Sequence, residues 1–312
     1  MGTDFHIPVL LNNAVELLIN PAIEELTLID GTTGGGGYSK RICETCSSLK
    51  LLICFDKDLN ALTYSKQNLS AVSDRIKFVN ENFANIKKVT QELGINKISG
   101  LILDLGLSNY QLTDEEGFSY LRNTPLDMRA DKRKKLTAAE VINSYDKESL
   151  NGIFREFGEI GNEERLSNAV IKSRKRNEIE TTFDLNEVIE TEYKIKSIAL
   201  NKFLSKIYQA IRIEVNGELE DLKKVLEDSF GLLENGGRLV VVSYHSLEDR
   251  IVKNFIKEKA FIPSVSKYSR DATEKQERFK ILTKKALLPD GIEVNSNPKS
   301  RSAKLRAAEK NG

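Results

Sequence analysis

Leu26-Thr27-Leu28-Ile29-Asp30-Gly31-Thr32-Thr33-Gly34-Gly35-Gly36-Gly37-Tyr38-Ser39 is the stretch on which the fold turns. Leu26 to Asp30 reads as a short buried strand that closes on an acid, and a helical pattern begins just past the glycines. A strand that passes through a glycine turn into a helix is where open α/β sheets bind ligands, at the carboxyl ends of their strands. Four successive glycines let the backbone come up to a ligand that side chains would keep away. Counted from Gly34, Ser39 stands where a dinucleotide turn has its third glycine, and no Gly-Lys-Ser/Thr ending of a phosphate loop is present.

Outward from this turn the same grammar repeats. Leu51 to Asp56 and Gly100 to Asp104 read as strands that also end in acids, with Ile76 to Val79 a weaker strand between them. Helical periodicity separates them, at Leu59 to Leu69 and Ile86 to Leu93. From Thr113 to Arg212 the strands stop, and helical patterns run through Thr137 to Phe157, Glu163 to Arg176, Phe183 to Ile189 and Ile198 to Ile213. The α/β pattern then resumes. Apolar residues at helical spacing from Leu219 to Leu233 are closed by Gly236-Gly237, and Arg238 to Ser243 follows as a β-branched strand. The reading is an α/β, Rossmann-like sheet domain, residues 1–112 and 213–312, with an inserted all-helical domain at 113–212. Pro263 to Gln276 is polar and without period, and reads as a loop.

Composition narrows the class. Of the 312 residues, 40% are hydrophobic and 30% charged, the balance of a soluble globular protein. No apolar run approaches the roughly 20 residues of a membrane span, and Met1 to Pro8 lacks the order of a secretion signal. Three cysteines, an odd number, argue against a disulfide scaffold and for the reducing cytoplasm. A net charge of +1 says nothing for nucleic acid, but basic residues gather in three groups. These are Arg129 with Lys132, Arg133, Lys134 and Lys135; Lys172 with Arg174, Lys175 and Arg176; and Lys299 with Arg301, Lys304 and Arg306. Each group is either a phosphate-holding surface or a solvated face, and charge alone leaves both readings open.

Two acids carry the chemistry. Asp56, at the end of the second strand, suits a ribose, whose two hydroxyls a carboxylate can accept. It serves a nicotinamide cofactor and S-adenosylmethionine equally well. Asp104, in Asp104-Leu105-Gly106-Leu107-Ser108, ends the fourth strand beside the expected methyl donor. An exocyclic amino nitrogen conjugated with its ring is planar and a poor nucleophile. Acceptors on its protons favour pyramidal geometry and stabilise the charge that develops on it. Asp104 and Ser108 are the candidates for that work. Cys43-x-x-Cys46 has no second pair and only two histidines in the chain to join it, so no metal is expected. Ser246 beside His245 lacks a glycine elbow, which excludes a hydrolase triad. The string around them either lines the substrate pocket or pins the end of the sheet.

Longer strings then become legible. They include His6-x-Pro8-Val9-Leu10-Leu11, Asp104-Leu105-Gly106-x-Ser108-x-x-Gln111-Leu112, Gly117-Phe118-Ser119 and Pro125-Leu126-Asp127-Met128-Arg129. Others are Gln209-Ala210-Ile211-Arg212-Ile213-x-Val215-Asn216, Ser243-Tyr244-His245-Ser246-Leu247-Glu248-Asp249-Arg250 and Asn297-Pro298-Lys299-Ser300-Arg301-Ser302. With these the chain resembles, over nearly its full length, the RsmH (MraW) family of 16S ribosomal RNA cytosine-N4 methyltransferases. The resemblance implies a Rossmann-like S-adenosylmethionine-dependent methyltransferase sheet with a helical insertion that meets RNA. It implies cofactor contacts at Gly36, Gly37, Tyr38, Asp56, Phe83, Asp104 and Gln111, with Phe83 against the adenine. It implies 16S rRNA of the small subunit as partner, with no metal and no membrane, and leaves monomer and homodimer both open.

The chain departs from the family at Tyr38, where histidine is usual, at Thr33, where phenylalanine is usual, and at Asn109-Tyr110, where Ser-Pro is usual. Lys202 to Lys206 replace most of a His-Pro-Ala-Thr-Arg string before Gln209. Backbone contacts by the glycine turn survive such changes, whereas a side-chain role at 38 does not follow. Two other classes compete: a ribosome-assembly factor without catalysis, and a nicotinamide oxidoreductase, which absence of nicotinamide binding would close.

Overall fold

The computed structural model describes residues 8–106, 116–195, 198–261 and 277–312. The chain forms two compact units, Met1–Gly106 with Glu220–Gly312, and Leu107–Leu219. The carboxyl division falls later than the expected 212 because one helix, Ile198–Asn216, runs unbroken through that point.

The first unit is built on seven strands: β1 (Leu26–Asp30), β2 (Leu49–Phe55), β3 (Ile76–Val79), β4 (Ile98–Asp104), β5 (Leu233–Ser243), β6 (Arg278–Ile281) and β7 (Lys304–Asn311). Their order across the sheet is β3-β2-β1-β4-β5-β7-β6. The first five are parallel, and β7 runs antiparallel to both β5 and β6. Parallel strands need covered faces, so successive residues split between two cores. Leu28, Leu52 and Val240 pack with Ile42 of the helix α2 (Gly37–Thr45) on one face. Ile29, Ile53, Leu101, Leu103 and Val241 pack on the other. All seven residues of β4 are buried, as a central strand requires.

Two features differ from the sequence reading. The helix Glu218–Leu232 ends before the glycine pair, and β5 begins at Leu233. Gly236 and Gly237 lie in an excursion of that strand, between the pairs Ile98↔Leu233 and Gly100↔Arg238. The second difference is β6 and β7, which the sequence reading did not contain. The alternating burial of β7 is hidden in the sequence by its charges, several of which are paired; Glu309, for example, meets Arg238 of β5 at 3.0 Å. The loop expected over Pro263–Gln276 lies in a segment that is, but for its neighbours, outside the described residues.

The second unit is helical over its described residues. The pattern over Thr137–Phe157 resolves into two helices, Ala138–Ser144 and Lys147–Glu156. Asp146 starts the second by accepting the Ser149 N–H at 2.8 Å, and Thr137 with Glu140 forms a capping box on the first. Leu150, Phe154, Leu166, Val170, Ile207 and Ile211 share its core.

The Pro125–Arg129 string is pinned within this unit. Asp127 takes the Arg129 backbone N–H, its Nε at 2.8 Å, and Lys132 at 3.1 Å. Burial alone would raise that carboxyl, but these bonds hold it down at about 2. Asn216 is buried and ties the loop to its helix: its Oδ1 accepts the Ala130 N–H at 2.9 Å and its Nδ2 donates to the Met128 carbonyl at 2.8 Å. Truncating it strands two buried backbone groups. Asn216→Ala is therefore expected to lower stability by about 2–3 kcal/mol in chemical denaturation, against less than about 0.5 kcal/mol for the exposed Lys135→Ala. Equal midpoints for the two variants would contradict this account of the loop.

Candidate active site

The glycine turn is stitched to the strands on both sides of β1. The Gly31 N–H donates to the Ile102 carbonyl of β4, and the Thr33 N–H to the Phe55 carbonyl of β2, each at 2.9 Å. Gly36 then precedes α2 with a φ of 83°, a conformation that glycine adopts without strain. At Gly37 the constraint is closeness, since an added Cβ would lie 2.1 Å from Cγ of Pro8. Gly34 is different: among the described residues a Cβ there would meet nothing nearer than the Thr32 carbonyl oxygen at 3.9 Å. The crevice lies where the strand order reverses, between β1 and β4, the expected ligand position of such a sheet.

Three carboxyls stand at these strand ends. Asp30 is buried; its Oδ2 accepts from the Ser39 hydroxyl at 2.6 Å and its Oδ1 from the Thr32 N–H at 3.2 Å. Burial pushes its pKa up to about 7 against the pull of those donors, and the nearby Asp56 and Asp104 push the same way. Asp56 accepts the Gly34 N–H on Oδ2 at 2.8 Å and the Asp58 N–H on Oδ1 at 2.9 Å. Each oxygen still has a lone pair for another donor. Burial raises Asp56 to about 6, with those two backbone donors opposing. Asp104 is buried, and its backbone N–H donates to the Thr32 hydroxyl at 2.6 Å, which ties it directly to the turn.

The remaining sequence-predicted residues fall as follows. Phe83 opens a short 3-10 turn capped by Asn82 and is half-buried beside Gly31, whose added Cβ would lie 3.4 Å from Cβ of Phe83. Tyr38 is buried in the core under α2, and its hydroxyl donates to the Val9 carbonyl. Burial first, and then Asp104, push its phenol well up. The side chain thus lies in the neighbourhood of Asp104. Ser108 and Gln111 lie outside the described residues. Asp30 was quoted in the motif without a role; its signal was a third acid at a strand end.

The other motifs resolve into structure. His245 caps the helix Ser246–Ala260 in a capping box with Glu248. Asp249 of that helix pairs with Lys304 at 3.2 Å and Arg306 at 2.6 Å, so these two cations of the third basic group tie β7 to the helix. In the first group, Arg129 and Lys132 go to Asp127, Arg133 to Asp131, and Lys134 to the Asn216 carbonyl. Arg174 of the second donates to the carbonyls of Ile142 and Tyr145. Lys172, Lys175 and Arg176 stay exposed and make no ion pair among the described residues. Cys43 and Cys46 are buried free thiols.

The strand order, the glycine turn and the acids at its rim define the class: a Rossmann-like methyltransferase of the kind that draws on S-adenosylmethionine. Comparison of the whole chain specifies it further. The chain belongs to the MraW methylase family, whose pattern it matches over residues 3–311. It is 40% identical to a protein of Clostridioides difficile strain 630, over 98% of each chain. It is 42% identical to one of Caldicellulosiruptor bescii, over 98% of this chain and 99% of the relative. A Fusobacterium nucleatum protein is 39% identical over 99% of this chain and 98% of its own. All three relatives carry the name ribosomal RNA small subunit methyltransferase H.

The raised carboxyls set a pH dependence. Between the ordinary value of 3.8 and about 7 for Asp30, or about 6 for Asp56, the folded protein keeps protons that the unfolded chain has released. Stability is therefore full at low pH in this respect and is lost as pH rises through those values. The melting temperature is expected to fall between about pH 4 and 7, and Asp30→Asn to remove much of that slope, up to roughly 4 kcal/mol. A slope unchanged in the variant would show that Asp30 is not the group responsible.

Proposed function

We propose that the chain transfers the methyl group of S-adenosylmethionine to the N4 amino group of a cytidine in 16S rRNA of the small ribosomal subunit. The observation that carries this reading is the buried Asp104 at the end of β4, tied to the glycine turn at the reversal of strand order, in a chain about 40% identical to relatives named as small-subunit rRNA methyltransferases.

The residues fit the cofactor. Asp56 and Asp104 both act on Asp30 as like charges, a surrounding that favours a cation such as a sulfonium. Asp56 keeps lone pairs for ribose hydroxyls, and Phe83 offers a flat face beside Gly31 for a purine. When bound, S-adenosylmethionine supplies a methyl group activated by its positive sulfur.

The protein's own part is position and electrostatics. Asp104 accepts a proton of the target amino group, drawing the nitrogen out of conjugation and stabilising the charge that grows on it. Ser108 joins it in that role, and Gln111 contacts the cofactor, both from the adjoining Leu105–Leu112 string on the strength of sequence. No residue in this scheme requires a metal. A base paired or stacked in rRNA has to be splayed into the pocket, and the exposed Lys172, Lys175 and Arg176 of the helical unit are suited to the neighbouring phosphates. No helix among the described residues is long and apolar enough to cross a membrane, and we place the work in the cytoplasm, with the ribosome.

The test is transfer of labelled methyl to small subunits that lack the modification, with mass spectrometry of the product. Wild-type protein is expected to give N4-methylcytidine at one site, and Asp104→Ala to lose at least about 100-fold in rate. Cofactor binding with no transfer would turn the reading toward an assembly factor.

A further inference from the structure

Tyr244 follows the last residue of β5, beside the end of β4, and its position is set from two sides. Its backbone N–H donates to Oε2 of Glu248 at 2.9 Å, and its ring presses on Gly106. A Cβ added to Gly106 would lie 2.7 Å from Cε2 of that ring and 3.2 Å from its hydroxyl oxygen. The Gly106 N–H in turn faces Oδ1 of Asp104 at 3.4 Å. The phenol oxygen thus lies against the Asp104–Gly106 turn. It is buried, yet it has no hydrogen-bond partner among the described residues.

The two buried tyrosines differ from it. The buried Tyr38 donates to the Val9 carbonyl, and the buried Tyr208 hydroxyl bonds the Thr182 carbonyl and Asn186. A buried hydroxyl without a partner lowers stability, and native structures retain few of them without a use. Asp104 is close enough to act on the Tyr244 phenol, though not aligned as a formed bond. Burial, followed by that carboxylate and by Glu248 and Glu293, keeps the phenol protonated. It is therefore no base; it can donate once and accept twice. Catalytic hydrogen bonds commonly align only when substrate is in place.

We infer that the Tyr244 hydroxyl is a second hydrogen-bond acceptor for the target amino group, donating a hydrogen bond to Asp104 while its oxygen accepts one from the amino N–H that Asp104 does not engage. Two acceptors on the two amino protons hold the nitrogen pyramidal, and the Tyr244–Asp104 bond fixes both at once. This rests on the amino-methylation reading above. It is an assignment of substrate contact, and cofactor affinity has no part in it.

The test is Tyr244→Phe, with kcat and KM on unmodified small subunits, affinity for S-adenosylmethionine and melting temperature measured together. Loss of an unsatisfied buried hydroxyl is expected to leave the melting temperature equal or higher and cofactor affinity within about twofold, while kcat falls about 10- to 100-fold at unchanged KM. A kcat within about twofold of wild type overturns the inference, as does a loss of activity that follows a loss of melting temperature or of cofactor affinity. Analysis of the wild-type product separates the two possible failures. A product without a methylated amino nitrogen overturns the underlying reading and the inference with it. A methylated amino group formed as fast by Tyr244→Phe overturns the inference alone.

Discussion

Everything at the site depends on one electrostatic constraint: parallel strands deliver a buried Asp30, a buried Asp104 and a half-buried Asp56 to neighbouring ends of one sheet, where the other two act on Asp30 as like charges. Burial of a carboxylate is costly, and backbone donors offset only part of it. The glycine turn supplies some of those donors, through the Gly34 N–H on Asp56 and the Thr32 N–H on Asp30. The same turn is held by Ile102 of β4 and Phe55 of β2, so the loop, the acids and the sheet form one unit. On the proposed function, a cation beside these carboxyls would favour their charged forms, which is what a sulfonium cofactor offers.

Much of this was legible in the sequence because each signal coincided with a local rule. A β-branched run that ends in an acid reads as a parallel strand, and β1, β2 and β4 lie within two residues of where that pattern puts them. The glycine turn gave its own position. What could not be read depends on pairing across the chain. In β7 a charged residue at alternate positions looks like a basic surface, and only the Asp249 and Glu309 partners turn Lys304, Arg306 and Arg238 into structural residues. Gly236 looked like a helix stop, yet it belongs to an excursion of β5 whose shape is set by its register with β4.

The basic groups carry the same lesson for function. Of the thirteen lysines and arginines gathered in three clusters, Arg129, Lys132, Arg133, Lys134, Arg174, Lys304 and Arg306 are committed to protein acceptors. On the proposed function the charges suited to RNA phosphates are the exposed ones with no ion pair among the described residues, which in the two clusters of the helical unit are Lys135, Lys172, Lys175 and Arg176. Tyr244 was equally silent in the sequence. It sits in a string whose His245, Glu248 and Asp249 serve the fold, and what sets it apart is a ring and hydroxyl pressed on Gly106.

Proton exchange on cofactor binding reports most directly on the claim that the acids form a cation site. Calorimetric titration of S-adenosylmethionine at about pH 6.5, in two buffers of different ionisation enthalpy, measures it. A cationic ligand favours the charged carboxylates, so Asp30 and Asp56, raised to about 7 and about 6, should release protons when it binds, and Asp30→Asn should release fewer. Binding with no proton release, or with uptake, would contradict the account.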